Sequence, residues 1–155
     1  MRESRNGALW PEVMVLTQIS LGSIIMIGCT LFQIGVIGWI VRRLRQFAAF
    51  RQQATVRQAF NFSAIVFFPM LFAHTVHIYL WALMIWLLGA LPGYEEPIYF
   101  SLVTYTTVGY GDVTLAKDFR IFGAMASVNG ILSFGLSTAF LVGLFSNIVE
   151  SLRDD

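Results

Sequence analysis

Charged residues divide this chain into apolar runs of unequal length. Residues 13–41 carry no charge, a run longer than the roughly 20 residues that cross a bilayer and longer than a signal-peptide core. They predict a retained transmembrane helix. The polar segment before it, 1–12, carries Arg2, Glu3, Arg5 and Glu12 and includes Trp10-Pro11, an interfacial aromatic and a proline suited to a first helical turn. A second charge-free run, Gln58–Tyr94, predicts a helix over 61–91, with Pro69 loosening its inner third and Trp81 and Trp86 toward the far interface. A third, 121–149, predicts a spanning helix over 119–149, followed by a short tail, 150–155. Residues 98–111 are also uncharged, but about 15 residues of helix reach only about 22 Å, short of the ~30 Å hydrocarbon core. That stretch must enter the membrane and return. A short helix over 97–106 would descend about 15 Å, and an extended segment over 107–112 would climb back a similar height. Non-helical backbone at that depth survives only inside protein or beside a water-filled cavity.

Composition agrees with a membrane protein: of 155 residues 57% are hydrophobic and 12% charged, and mean hydropathy is +0.70. A net charge of +1 gives no case for nucleic-acid binding, and Cys29, alone, excludes a disulfide framework. No nucleophile, metal cluster or phosphate-binding glycine loop points to an enzyme. The linker 42–60 carries Arg42, Arg43, Arg45, Arg51 and Arg57 without an acidic residue, so the positive-inside rule makes it cytoplasmic. Arginines at multiples of three raise the idea of a voltage sensor. Gln46, Gln52, Gln53, Gln58 and Asn61 make the stretch too polar to insert, so a basic surface touching anionic lipid at Arg42, Arg43 and Arg45 is the expectation. With that linker inside, the N-terminus faces outward and the C-terminus lies in the cytoplasm.

In the first helix, Gly22, Gly28, Gly35 and Gly38 permit close helix contact or face lipid, and Gln18 and Gln33 can bond to a neighbour. His74 and His77, one turn apart, are satisfied by an adjacent helix through Asn129 or act as proton sensors. The stretch Thr106-Thr107-Val108-Gly109-Tyr110-Gly111-Asp112 offers main-chain oxygens and little side-chain chemistry. Gly109 and Gly111 accept positive φ, which lets successive carbonyls aim to one side. Such a ladder suits a hard cation and holds it without fixed charge.

Thr107-Val108-Gly109-Tyr110-Gly111 resembles, letter for letter, the selectivity-filter signature of potassium channels, and the resemblance extends over roughly residues 62–149. It implies an all-α integral membrane protein with the tetrameric potassium-channel pore fold (outer helix, re-entrant pore helix and filter, inner helix) plus an additional N-terminal transmembrane helix. The implied K+ ligands are the carbonyls of Thr107, Val108, Gly109 and Tyr110 and the Thr107 hydroxyl, with Gly111 shaping the mouth. Thr106 belongs to the filter's support. Gly130 becomes the hinge candidate of the inner helix. Ile131, Phe134 and Thr138, continued by Val142 and Phe145, would share the cavity face, where Phe145 either gates by dewetting or simply packs. Three departures stand out: Phe100 where Trp is common, Val103 where some members carry Glu, and Val113-Thr114-Leu115 after Asp112. Asp112 therefore needs another partner, and Tyr99 is the expected one. The resemblance implies a homotetramer of the plasma (inner) membrane with K+ as permeant ion and no organic cofactor. A poorly selective cation channel and a non-conducting regulatory subunit are the alternatives. The short tail gives the expectation that no ligand-binding domain follows the pore.

Overall fold

The computed structural model describes the backbone of residues 3–48 and 56–153 and the side chains of residues 14–46 and 64–146. Four helices occur in the order α1 (Glu3–Ala48), α2 (Val56–Leu87), α3 (Glu95–Tyr105) and α4 (Arg120–Arg153), with a single 3-10 turn, Lys117–Phe119, leading into α4. No strand occurs among the described residues, and three segments, Met14–Gln46, Ala64–Leu87 and Lys117–Ser146, are long and apolar enough to cross a membrane. The described residues are thus all-helical, with three helices of spanning length and the short α3 between the second and third of them.

The helices differ from the sequence boundaries in instructive ways. α1 was expected over 13–41 but extends through polar residues at both ends, so Pro11 lies within it and Arg42, Arg43 and Arg45 continue it. A charge-free run measures apolar thickness, whereas a helix continues into water wherever its residues propagate it, as Arg and Gln do. The expected linker 42–60 is accordingly helical to Ala48 and again from Val56, and residues 49–55 lie outside the described residues. α2 ends at Leu87, not at 91. Gly89 has φ +63°, its N–H reaches Trp86 O at 2.9 Å, and the Ala90 N–H reaches Ile85 O at 3.1 Å, which is a Schellman stop. The sequence places the end at 91 because the helix-breaking Leu91-Pro92-Gly93 follows there, and the left-handed Gly89 stops it sooner. α2 remains one helix through Pro69. α3 begins two residues earlier than expected, because Pro97 needs no N–H partner in a first turn and Glu95 and Glu96 favour the positive helix end. α4 continues past 149 to Arg153.

Contacts group the chain into two units. The first, Met1–Cys29 with Val76–Ile131, contains α3 and the filter stretch. Its core is Ile25, Cys29, Trp81, Ile85, Phe100, Tyr105, Leu115, Phe122 and Ala126, with the Trp81 and Phe122 rings 5.1 Å apart. Here α1 and α4 run in the same direction, since Gln18 meets Ile121 and Phe122 while Gly22 meets Met125. The second unit is Thr30–Thr75 with Leu132–Asp155. Ile40, Val66 and Met70 form its buried centre, and Val36, Ile37, Leu44, Phe140, Leu141 and Leu144 pack on it.

Candidate functional site

The site starts at the C-terminal end of α3, where a helix leaves carbonyls without internal partners. The chain that follows turns back and satisfies them. Thr106 caps the helix, its N–H and its Oγ1 both donating to Leu102 O, at 3.1 and 2.7 Å. The Thr107 N–H donates to Thr104 O and the Gly109 N–H to Val103 O, each at 3.0 Å. Ser127 Oγ of α4 adds a second bond to Thr104 O at 2.9 Å. The start of the filter stretch is thereby fixed to the helix that precedes it.

Beyond that anchor the backbone alternates in hand. φ is +62° at Thr107, +54° at Gly109 and +79° at Gly111, while Val108 and Tyr110 are not positive. Alternate left- and right-handed residues keep the chain extended and turn successive peptide planes the same way, so N–H groups gather on one side and C=O groups on the other. A Cβ at Gly109 or Gly111 would meet no atom within 4 Å, so glycine is required for conformation and not for space. Thr107 is the one non-glycine residue with positive φ among the described residues, at a cost of about 1–2 kcal/mol. The sequence names Thr107 as a ligand but not its positive φ, for which the one signal is its position two residues before Gly109. Val108 and Tyr110 are exposed in the single chain.

At the Asp112 end of the stretch Tyr99 OH donates to Asp112 Oδ2 at 2.6 Å, and the Val113 N–H donates to Oδ1 at 3.0 Å. The Tyr99 hydrogen bond, helped by the backbone donors, holds the Asp112 carboxyl below its ordinary range, and the same bond raises the Tyr99 phenol. Phe100 is part of the buried core, and a Cβ on Gly123 would crowd both its ring and Leu115.

One polar contact and one close approach brace the end of α3. His77 Nδ1 lies 3.0 Å from Tyr105 OH, both residues being fully buried. Gly130 abuts the Tyr105 carbonyl so closely that any Cβ would collide with it. The glycine expected to hinge α4 thus has a packing reason of its own, and α4 is unbroken through it. His74 follows a different path: its Nε2 lies 3.1 Å from Ser137 Oγ, which also accepts from Gln33 Nε2 at 2.9 Å, and its ring stacks on Phe134 at 4.3 Å. The histidines take separate partners. Asn129, expected to serve them, is buried, and its Nδ2 has no partner among the described residues.

Ile131, Phe134, Thr138, Val142 and Phe145 are exposed on α4, whereas Ser133 and Ser137 are buried against the chain's own helices. The expected cavity face is therefore the one its own subunit leaves open, although Phe134 spends part of its surface on His74. In α1, Gln18 and Gln33 both find partners on α4. Of the four glycines only Gly22 has a close neighbour, Met125, because a Cβ at Gly28, Gly35 or Gly38 meets nothing within 4 Å.

Three segments long and apolar enough to cross a membrane, with a short helix leading into a stretch of alternating backbone hand, suit a membrane pore. Residues 65–147 match the model of a protein family described as ion channel, and the chain belongs to that family. Comparison with curated proteins and with solved structures returns no match. The family match covers most of α2, all of α3, the filter stretch and most of α4, and α1 lies outside it.

Proposed function

We propose that the protein is a potassium-selective channel in which dehydrated K+ passes through main-chain oxygens of Thr107, Val108, Gly109 and Tyr110 and the Thr107 hydroxyl. The observation that carries this is the alternation of backbone hand at Thr107, Gly109 and Gly111 within the Thr-Val-Gly-Tyr-Gly stretch. One chain supplies one ladder, too few oxygens to replace a hydration shell, so four copies share an axis. Neighbouring ions in the column repel, which lets each leave as the next enters. The carbonyls of Leu102, Val103 and Thr104 already accept hydrogen bonds. The α3 terminus therefore acts on the ion through its partial negative charge and not as a ligand. Glu95 and Glu96 at its other end concentrate cations outside.

In this reading the filter mouth and the N-terminus face outward, and Arg42, Arg43 and Arg45 and the C-terminal end of α4 face the cytoplasm of a plasma (inner) membrane. Ile131, Thr138, Val142 and Phe145 line the cavity, with Gly130 as hinge and a ring of Phe145 as the dewetting gate. His74 and His77 are the groups through which protons would act on α4 and on the filter support.

Current through the purified chain in liposomes, under opposed K+ and Na+ gradients with pH varied on each side, tests the reading. A reversal potential near the K+ equilibrium value is expected. Equal K+ and Na+ permeation would establish a poorly selective cation channel instead, and silence would leave a regulatory subunit.

A further inference from the structure

We propose that the groove between α1 and α2 binds an anionic phospholipid, with an acyl chain along its walls and the phosphate at Arg42 and Arg43. The groove, of about 660 Å³, is lined by Phe32, Val36 and Trp39 from α1 and by Phe68, Pro69 and Phe72 from α2, with Gly35 between them. The lining consists of aromatic and aliphatic side chains with one glycine and one proline, and is almost wholly apolar. Phe32 to Trp39 covers about 10 Å of helix, on the part of α1 that leads to the arginines. A chain of methylenes fits such a wall, and water does not.

Charge selects the class of lipid. Arg42, Arg43 and Arg45 are exposed at the end of the groove-lining segment, and no carboxylate occurs between Glu12 and Glu95 to neutralise them from α1 or α2. Arg43 is also held in place: its Cζ stands 5.2 Å from the centroid of the Trp39 ring, one of the groove's own walls. A guanidinium stacked on an aromatic face keeps its donors free for a phosphate diester and loses less rotamer freedom when it binds. Trp39 therefore joins the two halves of the site, touching the acyl groove and orienting the head-group ligand.

This inference rests on the chain spanning a membrane and is independent of which ion passes, so lipid binding and K+ flux fail separately. The intact protein is reconstituted with brominated phosphatidylglycerol or brominated phosphatidylcholine, and quenching of Trp39 is taken as the difference from Trp39→Phe. Stronger quenching by phosphatidylglycerol is expected, with a preference of about fivefold for each engaged arginine. Arg43→Gln should lower that preference about fivefold, and Arg43→Lys, which keeps the charge but loses the stacked planar fork, should fall between the two. Gly35→Leu, whose side chain enters open space, should remove the phosphatidylglycerol preference of Trp39 quenching, whereas Gly28→Leu, equally unhindered and outside the groove, should not. Equal quenching of the unaltered protein by both lipids overturns the proposal, as does displacement of the lipid by excess inorganic phosphate. Absence of quenching together with subunit cross-linking through Gly35→Cys in a Cys29→Ser background would assign the groove to a second copy, and overturns it too.

Discussion

Two glycines in this chain separate conformation from space. A Cβ at Gly109 and one at Gly28 both project into a volume free of atoms within 4 Å, yet Gly109 sits at φ +54° and Gly28 lies inside α1. Gly109→Ala is expected to destabilise each subunit by about 1–2 kcal/mol and to reduce K+ over Na+ selectivity. Gly28→Ala should be neutral or stabilising by up to about 1 kcal/mol. Thermal unfolding of the two variants, with reversal potentials, checks the contrast, and equal behaviour would mean that the left-handed conformation carries no cost. Tyr99 offers a second test. Its hydrogen bond depresses the Asp112 pKa, so the stabilisation is fully present above the unfolded carboxylate's pKa, about 3.9. It is lost only as pH falls through the lower folded value. External acidification to pH 5 should therefore leave the outer mouth unchanged. Tyr99→Phe should change the time course of inactivation while sparing selectivity, and should return the Asp112 titration toward its ordinary range. An unaltered time course in that variant would separate the pair from filter stability.

At the scale of elements, α4 begins with a cap supplied from another helix. Gln18 Oε1 accepts from the N–H groups of Ile121 and Phe122, both at 3.2 Å, where a helix start would otherwise leave donors unpaired. Gln18→Leu keeps the size and removes the acceptor, so it should cost about 1–3 kcal/mol and speed amide exchange at residues 121 and 122. Gln18→Glu should restore most of the protection. The sequence had made α1's two glutamines legible as groups needing partners, because an amide in a charge-free run must bond to something. Which partner they take was not legible, since that depends on the facing of α4. The spanning helices and the re-entrant stretch were legible for the same reason, that charges and bilayer thickness allow few arrangements. Helix ends were less so. The stop at Gly89 and the extension of α1 past Arg45 depend on terminal hydrogen bonding, which hydropathy does not encode. In the candidate site, the positive φ of Gly109 and Gly111 was legible, while the φ of Thr107 and the His77–Tyr105 contact required three-dimensional placement.

At the scale of the whole molecule, the question is what covers the surfaces one chain leaves open. A membrane covers apolar side chains anywhere on the outer surface, but a pore-lining face must instead meet water. Ile131 and Val142 are each 60% exposed and Thr138 is exposed on the same side of α4, whereas Ser133 and Ser137 are nearly covered within their own subunit. Polarity alone would nominate the serines as the wet face, and burial reverses that choice. Cysteine placed singly at Ile131, Thr138 or Val142 in a Cys29→Ser background should react with a charged, membrane-impermeant thiol reagent from the cytoplasmic side and block current. Cysteine at Ser133 or Ser137 should remain unmodified as long as the subunit is folded. Ser137→Cys also removes the hydroxyl shared by Gln33 and His74, so its baseline current is compared before the reagent is added. Phe134→Cys is the intermediate case, because its ring lies partly over His74, and slower modification is expected there. The opposite pattern, with reactive serines and silent isoleucine and valine, would turn α4 by about half a rotation in the assembly and assign the exposed apolar face to lipid.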